Sequence, residues 1–312
     1  MSRDPIPEPA ISVVPEGDAV LEGAIREAGG RVVPLSAETE GIVCGHGRAA
    51  HDALTDALSA WAQVRWVQLP SAGIEAYAHL FGDGDRDWTC AKGAYAEPVA
   101  EHALLLILSC LRDLPHHART RTWLTPRTGR SLFDRRGVII GGGGIATELL
   151  RMLAPFRVST TIVRRSPVPV AGADRTVTAD RLDEVLPEAD VVVVAAASTA
   201  ETVRLLDARR LALLPPEAVI VNIARGPLID TDALADALAA GRLAAAGLDV
   251  TDPEPLPDGH PLWSEPRCVI TSHHADTEDM MSPLYARRVR ENVRALRDGT
   301  PLVGVVDPVA GY

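Results

Sequence analysis

The sequence contains few cysteines, and their spacing suggests no site. Among its 312 residues there are four, Cys44, Cys90, Cys110 and Cys268. No C-x-x-C pair occurs, and the separations match no zinc-ligand pattern. The sequence therefore predicts no metal site and four reduced, mostly buried thiols.

Long hydrophobic runs are also missing. The longest apolar run in a helix-like segment, ALLLILSCL at 103–111, is well short of the roughly 20 residues that a membrane-spanning helix needs. The first ten residues, MSRDPIPEPA, lack the apolar core of a signal peptide. We therefore expect a globular protein of the cytoplasm, with no membrane partner.

Positive charge is in the minority. Lys and Arg total 31 against 42 Asp and Glu, which gives a formal net charge of −11 at pH 7. This balance argues against nucleic acid as the main partner, although a local basic pocket can still bind an anion. The length and the hydrophobic fraction of 46% predict two domains with sizeable cores.

What the sequence does contain is a repeated alternation of short aliphatic runs and helix-length segments. Runs such as AISVVP, GIVC and VRWVQLP come first, and VIIGG, STTIV, DVVVVAAA, AVIVNIA, AAAGLDV and RCVITS follow after residue 135. Continuous aliphatic strands are typical of parallel sheets that helices cover on both faces. The sequence predicts an α/β protein with two doubly wound parallel-sheet domains, in which ligands bind at the carboxyl ends of the strands.

Three further segments have clear local predictions. The apolar segment PVAEHALLLILSCLR (98–112) predicts a buried helix. The segment 282–299 predicts a helix that begins at Ser282 and Pro283 and stops at Gly299, because Pro favours the first helical turn and Gly the end. The Pro-rich stretch RSPVPVAGA (165–173) predicts a loop.

Four consecutive glycines, 141–144, lie between an aliphatic run and a leucine-rich amphipathic segment. The register Gly141-x-Gly143-x-x-Ala146 fits the dinucleotide fingerprint, in which the backbone approaches a pyrophosphate at a helix N-terminus. A simple turn is the alternative. The position of the glycines within a strand–helix–strand unit favours the phosphate-binding interpretation.

Three polar residues, Arg225, Glu254 and His273, each follow a predicted strand. Arginine binds a carboxylate with two parallel hydrogen bonds, and histidine exchanges a proton near neutral pH, with a neighbouring carboxylate favouring its charged form. Taken singly, they have ordinary explanations: a surface ion pair, a solvated loop residue and a helix cap. Their order behind the glycine fingerprint favours a shared catalytic role.

These segments together resemble the D-isomer-specific 2-hydroxyacid dehydrogenase family, and in particular its glyoxylate/hydroxypyruvate reductase-like members. The likeness covers nearly the whole chain and rests mainly on VNIARGPLID, GLDVTDPEPLP and TSHHADT, with VRWVQLPSAGIE and YAEPVAEHALLLIL in support. It implies a Rossmann dinucleotide-binding domain at 95–277, inserted into a flavodoxin-like substrate domain at 1–94 and 278–312. It also implies an enzyme that reduces a small 2-oxo acid to the D-2-hydroxy acid.

The resemblance assigns a role to each matching position. Arg225 would bind the substrate, Glu254 would orient the histidine, and His273 would be the general acid/base. The amides of Ala72 and Gly73 would receive the substrate carboxylate. The resemblance places the cofactor against Gly141, Gly143, Gly144, Ile145, Ala224 and Asp249, the last facing the nicotinamide amide. It further implies a homodimer with contacts at 98–112 and 119–133.

The chain departs from the family pattern in four places. Gly144 stands where a basic residue is common, Ser272 replaces the usual proline before the histidine, and Asp276 replaces a usual glycine. His274 occupies a commonly aliphatic position, so two adjacent imidazoles compete for the catalytic role. The family pattern favours His273.

The end of the second strand of the nucleotide domain predicts NADP(H) in preference to NAD(H). An NAD site has a carboxylate about 20 residues past the glycines to bind the ribose 2′-hydroxyl, but no Asp or Glu occurs between Glu148 and Asp174. Arg164, Arg165 and Ser166 are found there instead, and guanidinium groups match the oxygens of a 2′-phosphate. Arginines that simply point into solvent are the alternative.

Two other functions remain open at this stage. Relatives of this architecture include nucleotide-sensing corepressors, which bind partners without turnover, and enzymes that oxidise formate or a phosphorus oxyanion. The sequence also leaves open the side chain of the substrate and the roles of His46, Trp123 and Trp263.

Overall fold

The computed structural model describes residues 5–82 and 86–307. The chain forms two compact units, one made of Met1–Tyr95 and Thr277–Tyr312, the other of Ala96–Asp276. These bounds differ by one residue from those predicted for the two domains. The assignment of substrate and dinucleotide binding to the separate units stays a prediction.

The first unit is built on a five-stranded parallel sheet with the strand order β2-β1-β3-β4-β5. The strands are β1 (Ala10–Val14), β2 (Arg31–Val32), β3 (Gly41–Cys44), β4 (Trp66–Gln68) and β5 (Asp87–Thr89). Helices α1 (Ala19–Glu27), α2 (Arg48–Ala60) and α10 (Glu278–Asp298) belong to the same unit. Every residue of β1, β3 and β4 is buried, as expected for strands covered on both faces.

The second unit contains a seven-stranded sheet, in which every described strand pairing is parallel, with the order β12-β11-β10-β9-β6-β7-β8. Its strands are β6 (Arg136–Ile140), β7 (Ser159–Arg164), β8 (Arg175–Thr178), β9 (Val191–Val194), β10 (Val219–Asn222), β11 (Ala245–Leu248) and β12 (Cys268–Ile270). Its helices are α3 (Ala96–Leu111), α4 (Leu114–Arg119), α5 (Gly144–Leu153), α6 (Leu182–Val185), α7 (Ala208–Leu211), α8 (Thr231–Ala239) and α9 (Pro261–Ser264).

The order of the seven strands positions a binding site. The first strand of this sheet, β6, lies in its interior. The chain continues to β7 and β8 on one side of β6 and then crosses to β9 on the other side. This reversal opens a crevice beyond the carboxyl end of β6, where open parallel sheets bind their ligands. The glycine run follows β6 directly.

One local prediction was wrong, and one strand was missed. Helix α10 begins at Glu278 with Thr277 as its N-cap, so Pro283 lies inside the helix and does not start it. The acidic residues Glu278 and Asp279 occupy the first turn, where they interact favourably with the helix dipole. Strand β8 follows the Pro-rich loop and was not predicted, because four residues, RTVT, carry little periodic signal.

The structure can be compared with the expectations about membrane helices, cysteines and metal sites. In 5–82 and 86–307, no helix has the length and apolar character to cross a membrane. All four cysteines are free and buried, as predicted. Within the same residues, no cluster of three or more His, Cys, Asp or Glu side chains has the arrangement of a metal site.

Candidate active site

The glycine turn after β6 is shaped by a close approach of the neighbouring strand. Gly141 has a φ of +116°, and a Cβ atom at this position would lie 2.3 Å from the carbonyl oxygen of Ala195, just past β9. Only glycine fits both the conformation and the space. At Gly143, by contrast, a Cβ would meet nothing within 4 Å, so the turn is open on its outer side.

The first turn of α5 provides donors for an anion. Gly143 is the N-cap residue, and no side chain caps the helix, which leaves its first amide groups for a ligand. Ala146, the last fingerprint position, is fully buried, and α5 packs against α3. Gly144 and Ile145 form the start of the helix. This cradle fits the pyrophosphate of a dinucleotide.

Arg164 and Arg165, at the end of β7, lie near the glycine turn. Arg164 is the last residue of β7, and a Cβ placed at Gly142 would lie 3.0 Å from its Cδ and 3.3 Å from its Nε. Its side chain therefore lies against the glycine turn. Arg165 and Ser166 follow, with Arg165 exposed and Ser166 half-buried.

Asp174, the first carboxylate after β7, forms hydrogen bonds with the start of that strand. Asp174 accepts hydrogen bonds from the backbone N–H of Thr160 (2.7 Å) and from its hydroxyl (3.1 Å). Thr160 lies near the start of β7, so this carboxylate is held away from the carboxyl end of the strand, where a ribose hydroxyl would be bound.

Arg225 lies after β10 in a segment that touches the loop after β11. A Cβ at Gly226 would be 1.8 Å from the carbonyl oxygen of Thr251, so the two segments are in backbone contact. The side chain of Asn222 braces the turn, since its Nδ2 donates to the carbonyl of Arg225 (3.0 Å) and its Oδ1 accepts from Ala224 N–H (3.1 Å). Arg225 itself is half-buried and donates to the carbonyl of Ala224 (2.7 Å).

His273 and Glu254 form the pair that the sequence predicts. Their Nδ1 and Oε1 atoms are 2.7 Å apart, and the side chains are 47% and 42% exposed. Ser272 and His273 both have positive φ angles, +46° and +58°. A proline has its φ fixed near −65°, so Ser272 permits a backbone that the usual family residue excludes.

His274 has a different environment. Its Nδ1 lies 2.9 Å from the carbonyl of Thr271 and 2.7 Å from that of Ser272. A ring nitrogen that faces two carbonyls carries the hydrogen and donates it. Of the two adjacent imidazoles, His273 is therefore the one that lies against Glu254.

Asp249, at the end of β11, is a buried carboxylate that binds its own chain. It is 2% exposed, and its Oδ1 accepts from the Thr271 hydroxyl (2.6 Å) and from His274 N–H (2.8 Å), while its Oδ2 accepts from Ala275 N–H (3.1 Å). Burial raises the pKa of Asp249, but hydrogen bonds from His102, Thr271 and His274 outweigh it and hold the pKa below its usual value. Asp249 thus organises the segment that carries His273.

A cleft of about 290 Å³ lies beside the His–Glu pair within the second unit. The residues that line it are Asp249, Thr251, Glu254, Pro255, Leu256, Trp263, Ile270, Ser272 and His273. Trp263 is part of this wall, and its indole N–H donates to the carbonyl of Pro257 (3.1 Å). Trp123 is different, since it is 94% exposed.

Ala72 and Gly73 belong to the first unit, in a turn after β4. The Ser71 hydroxyl donates to the carbonyl of Gly73 (2.5 Å), and Ala91 N–H donates to the carbonyl of Ser71 (3.0 Å). Within residues 5–82 and 86–307, no hydrogen bond from the N–H of Ala72 or Gly73 is found. The turn therefore presents two amides, as a carboxylate site needs.

His46 also lies at the carboxyl edge of the first sheet, after β3. Its Nε2 is 3.2 Å from the hydroxyl of Tyr95, which donates to the carbonyl of Pro70. Pro70 directly precedes the Ser71–Gly73 turn, so His46 is linked to that turn through one tyrosine. The sequence left the role of His46 open, and the structure shows its contact with Tyr95.

One residue that contacts the site, His102, was not predicted from the sequence. His102 on α3 has its Nε2 2.8 Å from the Thr271 hydroxyl and 3.4 Å from the Asp249 carboxylate. The sequence held one signal, a histidine inside the otherwise apolar segment HALLLIL. An isolated polar residue on a buried helix needs a partner, but the sequence did not reveal which residue that is.

The curated relatives point to one family. A sequence of 42% identity over 258 residues, covering 80% of this chain and 84% of the relative, is an uncharacterised protein from the proB 3′ region of Corynebacterium melassecola. A formate dehydrogenase from a Pseudomonas species is 34% identical, over 70% of this chain and 57% of that enzyme. Human glyoxylate reductase/hydroxypyruvate reductase is 31% identical, over 64% of each chain. This chain thus spans less than two thirds of the latter two enzymes.

Structure and domain comparisons agree with this result. A D-isomer-specific 2-hydroxyacid dehydrogenase from Xanthobacter autotrophicus Py2, solved in complex with NADPH and MES, is 26% identical, with a TM-score of 0.83 over 98% of this chain and all of that one. Residues 104–275 match the model of the D-isomer-specific 2-hydroxyacid dehydrogenase NAD-binding domain. The chain therefore belongs to the D-isomer-specific 2-hydroxyacid dehydrogenase family of NAD(P)-dependent oxidoreductases.

Proposed function

We propose that the chain reduces a small 2-oxo acid to the D-2-hydroxy acid, with NADPH as the favoured reductant. The observation that carries this proposal is the 2.7 Å contact between His273 Nδ1 and Glu254 Oε1, at the same edge of the sheet as the glycine cradle. When bound, the nicotinamide supplies the hydride. The residues of the chain supply the proton and hold the substrate.

The His–Glu pair has the arrangement of a general acid. Because Glu254 faces Nδ1, the ring is held in one orientation and Nε2 is left to meet the substrate. Reduction places negative charge on the carbonyl oxygen, and a protonated imidazole donates its hydrogen to that oxygen. In the reverse direction the same nitrogen accepts a proton from the hydroxyl group.

Arg225 and the Ala72–Gly73 turn account for recognition of an acid. A guanidinium group binds a carboxylate with two parallel hydrogen bonds, and the backbone of Arg225 is held by Asn222, whose Nδ2 donates to the Arg225 carbonyl. In the first unit, the backbone amides of Ala72 and Gly73 also suit a carboxylate. We propose that these donors hold the substrate and that Arg225 also polarises its carbonyl.

The cofactor preference rests on the end of β7. Arg164 lies against the glycine turn, and Arg165 and Ser166 follow it, while Asp174 is bonded to Thr160 at the other end of the strand. These residues favour a 2′-phosphate over a free hydroxyl. The relative from Xanthobacter autotrophicus was solved with NADPH, which supports the same preference.

A substrate panel tests the proposal. We expect NADPH-dependent reduction of at least one of glyoxylate, pyruvate, hydroxypyruvate and phenylpyruvate, measured as the loss of NADPH absorbance at 340 nm. The product should be the D-hydroxy acid. The Arg225→Ala variant should raise KM for the 2-oxo acid. The absence of turnover with every member of the panel would overturn the proposal.

The two alternatives give different results in the same apparatus. An enzyme that oxidises formate or a phosphorus oxyanion produces NADH or NADPH from the oxidised cofactor and one of those anions, and the 34% identity to a formate dehydrogenase makes formate the first anion to test. A corepressor-like protein binds the nucleotide tightly without turnover. The His273–Glu254 pair favours the reductase, because formate has no hydroxyl proton for a general base to remove.

The chain is further proposed to act as a homodimer in the cytoplasm. The segment 119–133 contains four arginines and no acidic residue in a chain of net charge −11. Trp123 at its centre is 94% exposed, and Leu105 on α3 is 52% exposed. A basic surface with exposed apolar side chains complements the acidic remainder of a second copy.

A further inference from the structure

We propose that His102 is a positioning residue of the active site, which acts on His273 through Thr271 and Asp249. This inference rests on the proposed reductase function and adds a residue to its machinery. His102 lies on α3, 171 positions before His273 in the chain, and its side chain is 13% exposed. Its Nε2 lies 2.8 Å from the Thr271 hydroxyl and 3.4 Å from the Asp249 carboxylate.

The hydrogens in this network have one consistent arrangement. The Thr271 hydroxyl donates its single hydrogen to Asp249 Oδ1, at 2.6 Å. Its oxygen can then only accept from His102 Nε2, at 2.8 Å, so Nε2 carries a hydrogen. The result is a directed chain of hydrogen bonds that runs from His102 through Thr271 to Asp249.

Asp249 needs this support because it is an almost fully buried anion. Within residues 5–82 and 86–307, His102 is the one basic side chain within 4.0 Å of its carboxylate. The other donors to that carboxylate are the Thr271 hydroxyl and the backbone amides of His274 and Ala275. A buried carboxylate is stable only when its oxygens are satisfied.

The same carboxylate holds a strained backbone in place. Ser272 and His273 are consecutive non-glycine residues with positive φ, a conformation that persists only where surrounding contacts fix it. The amides on both sides are fixed, since His273 N–H donates to the Asp249 carbonyl (2.6 Å) and His274 N–H to its carboxylate (2.8 Å). Loss of the His102 donor loosens Thr271, which then loosens the segment that aims His273 at Glu254.

Amide substitutions at position 102 test this role. The His102→Gln variant places an N–H donor near the position of Nε2, whereas His102→Asn is too short to reach Thr271. We expect kcat to fall at least 10-fold in His102→Asn and to be largely restored in His102→Gln.

A second variant on the same helix separates positioning from simple destabilisation. Leu106 is 1% exposed and packs on Gly247 of β11. The Leu106→Ala variant should lower the melting temperature as much as or more than His102→Asn, while kcat per folded molecule stays near the wild-type value. Equal kcat in the Gln and Asn variants, or an equal loss in Leu106→Ala, would overturn the proposal.

An NMR measurement keeps the result independent of the reductase assignment. The backbone amides of His274 and Ala275 donate to Asp249, so their resonances and exchange protection report on the network without turnover. We expect both to change in His102→Asn and to be retained in His102→Gln. Unchanged amides in His102→Asn would refute the positioning role even if no 2-oxo acid proves to be a substrate.

Discussion

Gly226 and Thr251 are in such close backbone contact that a methyl group on Gly226 would lie 1.8 Å from the Thr251 carbonyl oxygen. This contact joins the segment of Arg225 to the segment of Glu254, two of the three residues that the catalytic proposal requires. This contact is possible only because residue 226 has no side chain.

We expect the Gly226→Ala variant to lose at least 10-fold in kcat/KM and to unfold at a lower temperature. The added methyl must displace backbone, and overpacking of this kind costs about 1–3 kcal/mol. Steady-state kinetics and thermal unfolding measure the two effects. Gly23→Ala is the matched control, because a Cβ there meets nothing within 4 Å and alanine favours the α1 helix. A Gly226→Ala enzyme with wild-type kinetics would show that the two segments act independently.

Removal of the general acid gives the second prediction. His273→Ala should lower kcat by about 10²–10⁴, the usual range for this role, with little change in the Kd of the cofactor. Glu254→Gln should cause a smaller loss, because the ring keeps a hydrogen-bond partner but loses the charge. His274→Ala is the comparison that distinguishes the two imidazoles. A larger loss in His274→Ala than in His273→Ala would transfer the role to the second histidine.

The cofactor preference gives the third prediction. Hydrogen bonds to charged groups contribute about 1.5–3 kcal/mol each, so one or two arginine contacts to a 2′-phosphate give roughly a 10- to 1,000-fold preference in kcat/KM for NADPH over NADH. The Arg164→Ala/Arg165→Ala variant should lose efficiency with NADPH and keep it with NADH. Equal efficiency with both cofactors in the wild-type enzyme would contradict the prediction, as would an equal loss with both in the variant.

The fourth prediction concerns assembly. Light scattering should give twice the chain mass of 33.2 kDa at assay concentration. Trp123→Ser, in the exposed segment 119–133, should shift the equilibrium toward the monomer, since a large exposed aromatic is a typical interface anchor. Trp263→Ser, which changes the wall of the active-site cleft, should leave the mass unchanged. A fully active wild-type monomer would exclude the homodimer.

The fifth prediction concerns pH. The pKa of Asp249 in the folded chain is below its ordinary value of 3.8, so its contribution to stability is present above pH 3.8 and is lost as pH falls through the lower folded-state value. The Asp249→Asn variant lacks this titration. Its melting temperature should be lower at pH 7, but should fall less than that of the wild type between pH 5 and pH 3. Parallel curves for the two proteins would show that the group does not titrate in the folded state as we expect.

Most of the fold was predictable because buried parallel strands can be recognised in the sequence as aliphatic runs. The runs VIIGG, STTIV and AVIVNIA correspond to β6, β7 and β10, and the strand–helix alternation is what a doubly wound sheet requires. Boundaries were less predictable. Ser282-Pro283 resembles a helix start, but Thr277 and the acidic turn after it supply an earlier one.

The sequence suggested candidate site residues only in the segments that follow strands. Arg225, Glu254 and His273 were proposed because their segments follow strands and resemble segments of the family, and their catalytic roles stay predictions. His102 was not proposed, because it lies on a helix and meets Thr271 169 residues later in the chain. Such a partner depends on tertiary packing, which periodicity does not encode. The positive φ of Ser272 was also not predicted, although Ser272 had been noted as a departure from the proline that is usual in the family.

The division of the first unit between the two ends of the chain has a consequence for its synthesis. The Tyr285 hydroxyl on α10 donates to the carbonyls of Cys44 (2.7 Å) and Gln68 (3.2 Å), so this core is incomplete until α10 has been synthesised. The second unit is continuous, from Ala96 to Asp276, and has all its contacts available earlier. Since domains fold as units during translation, we expect the continuous unit to fold first, while the N-terminal strands of the other unit lack α10 until residues 278–298 have been synthesised.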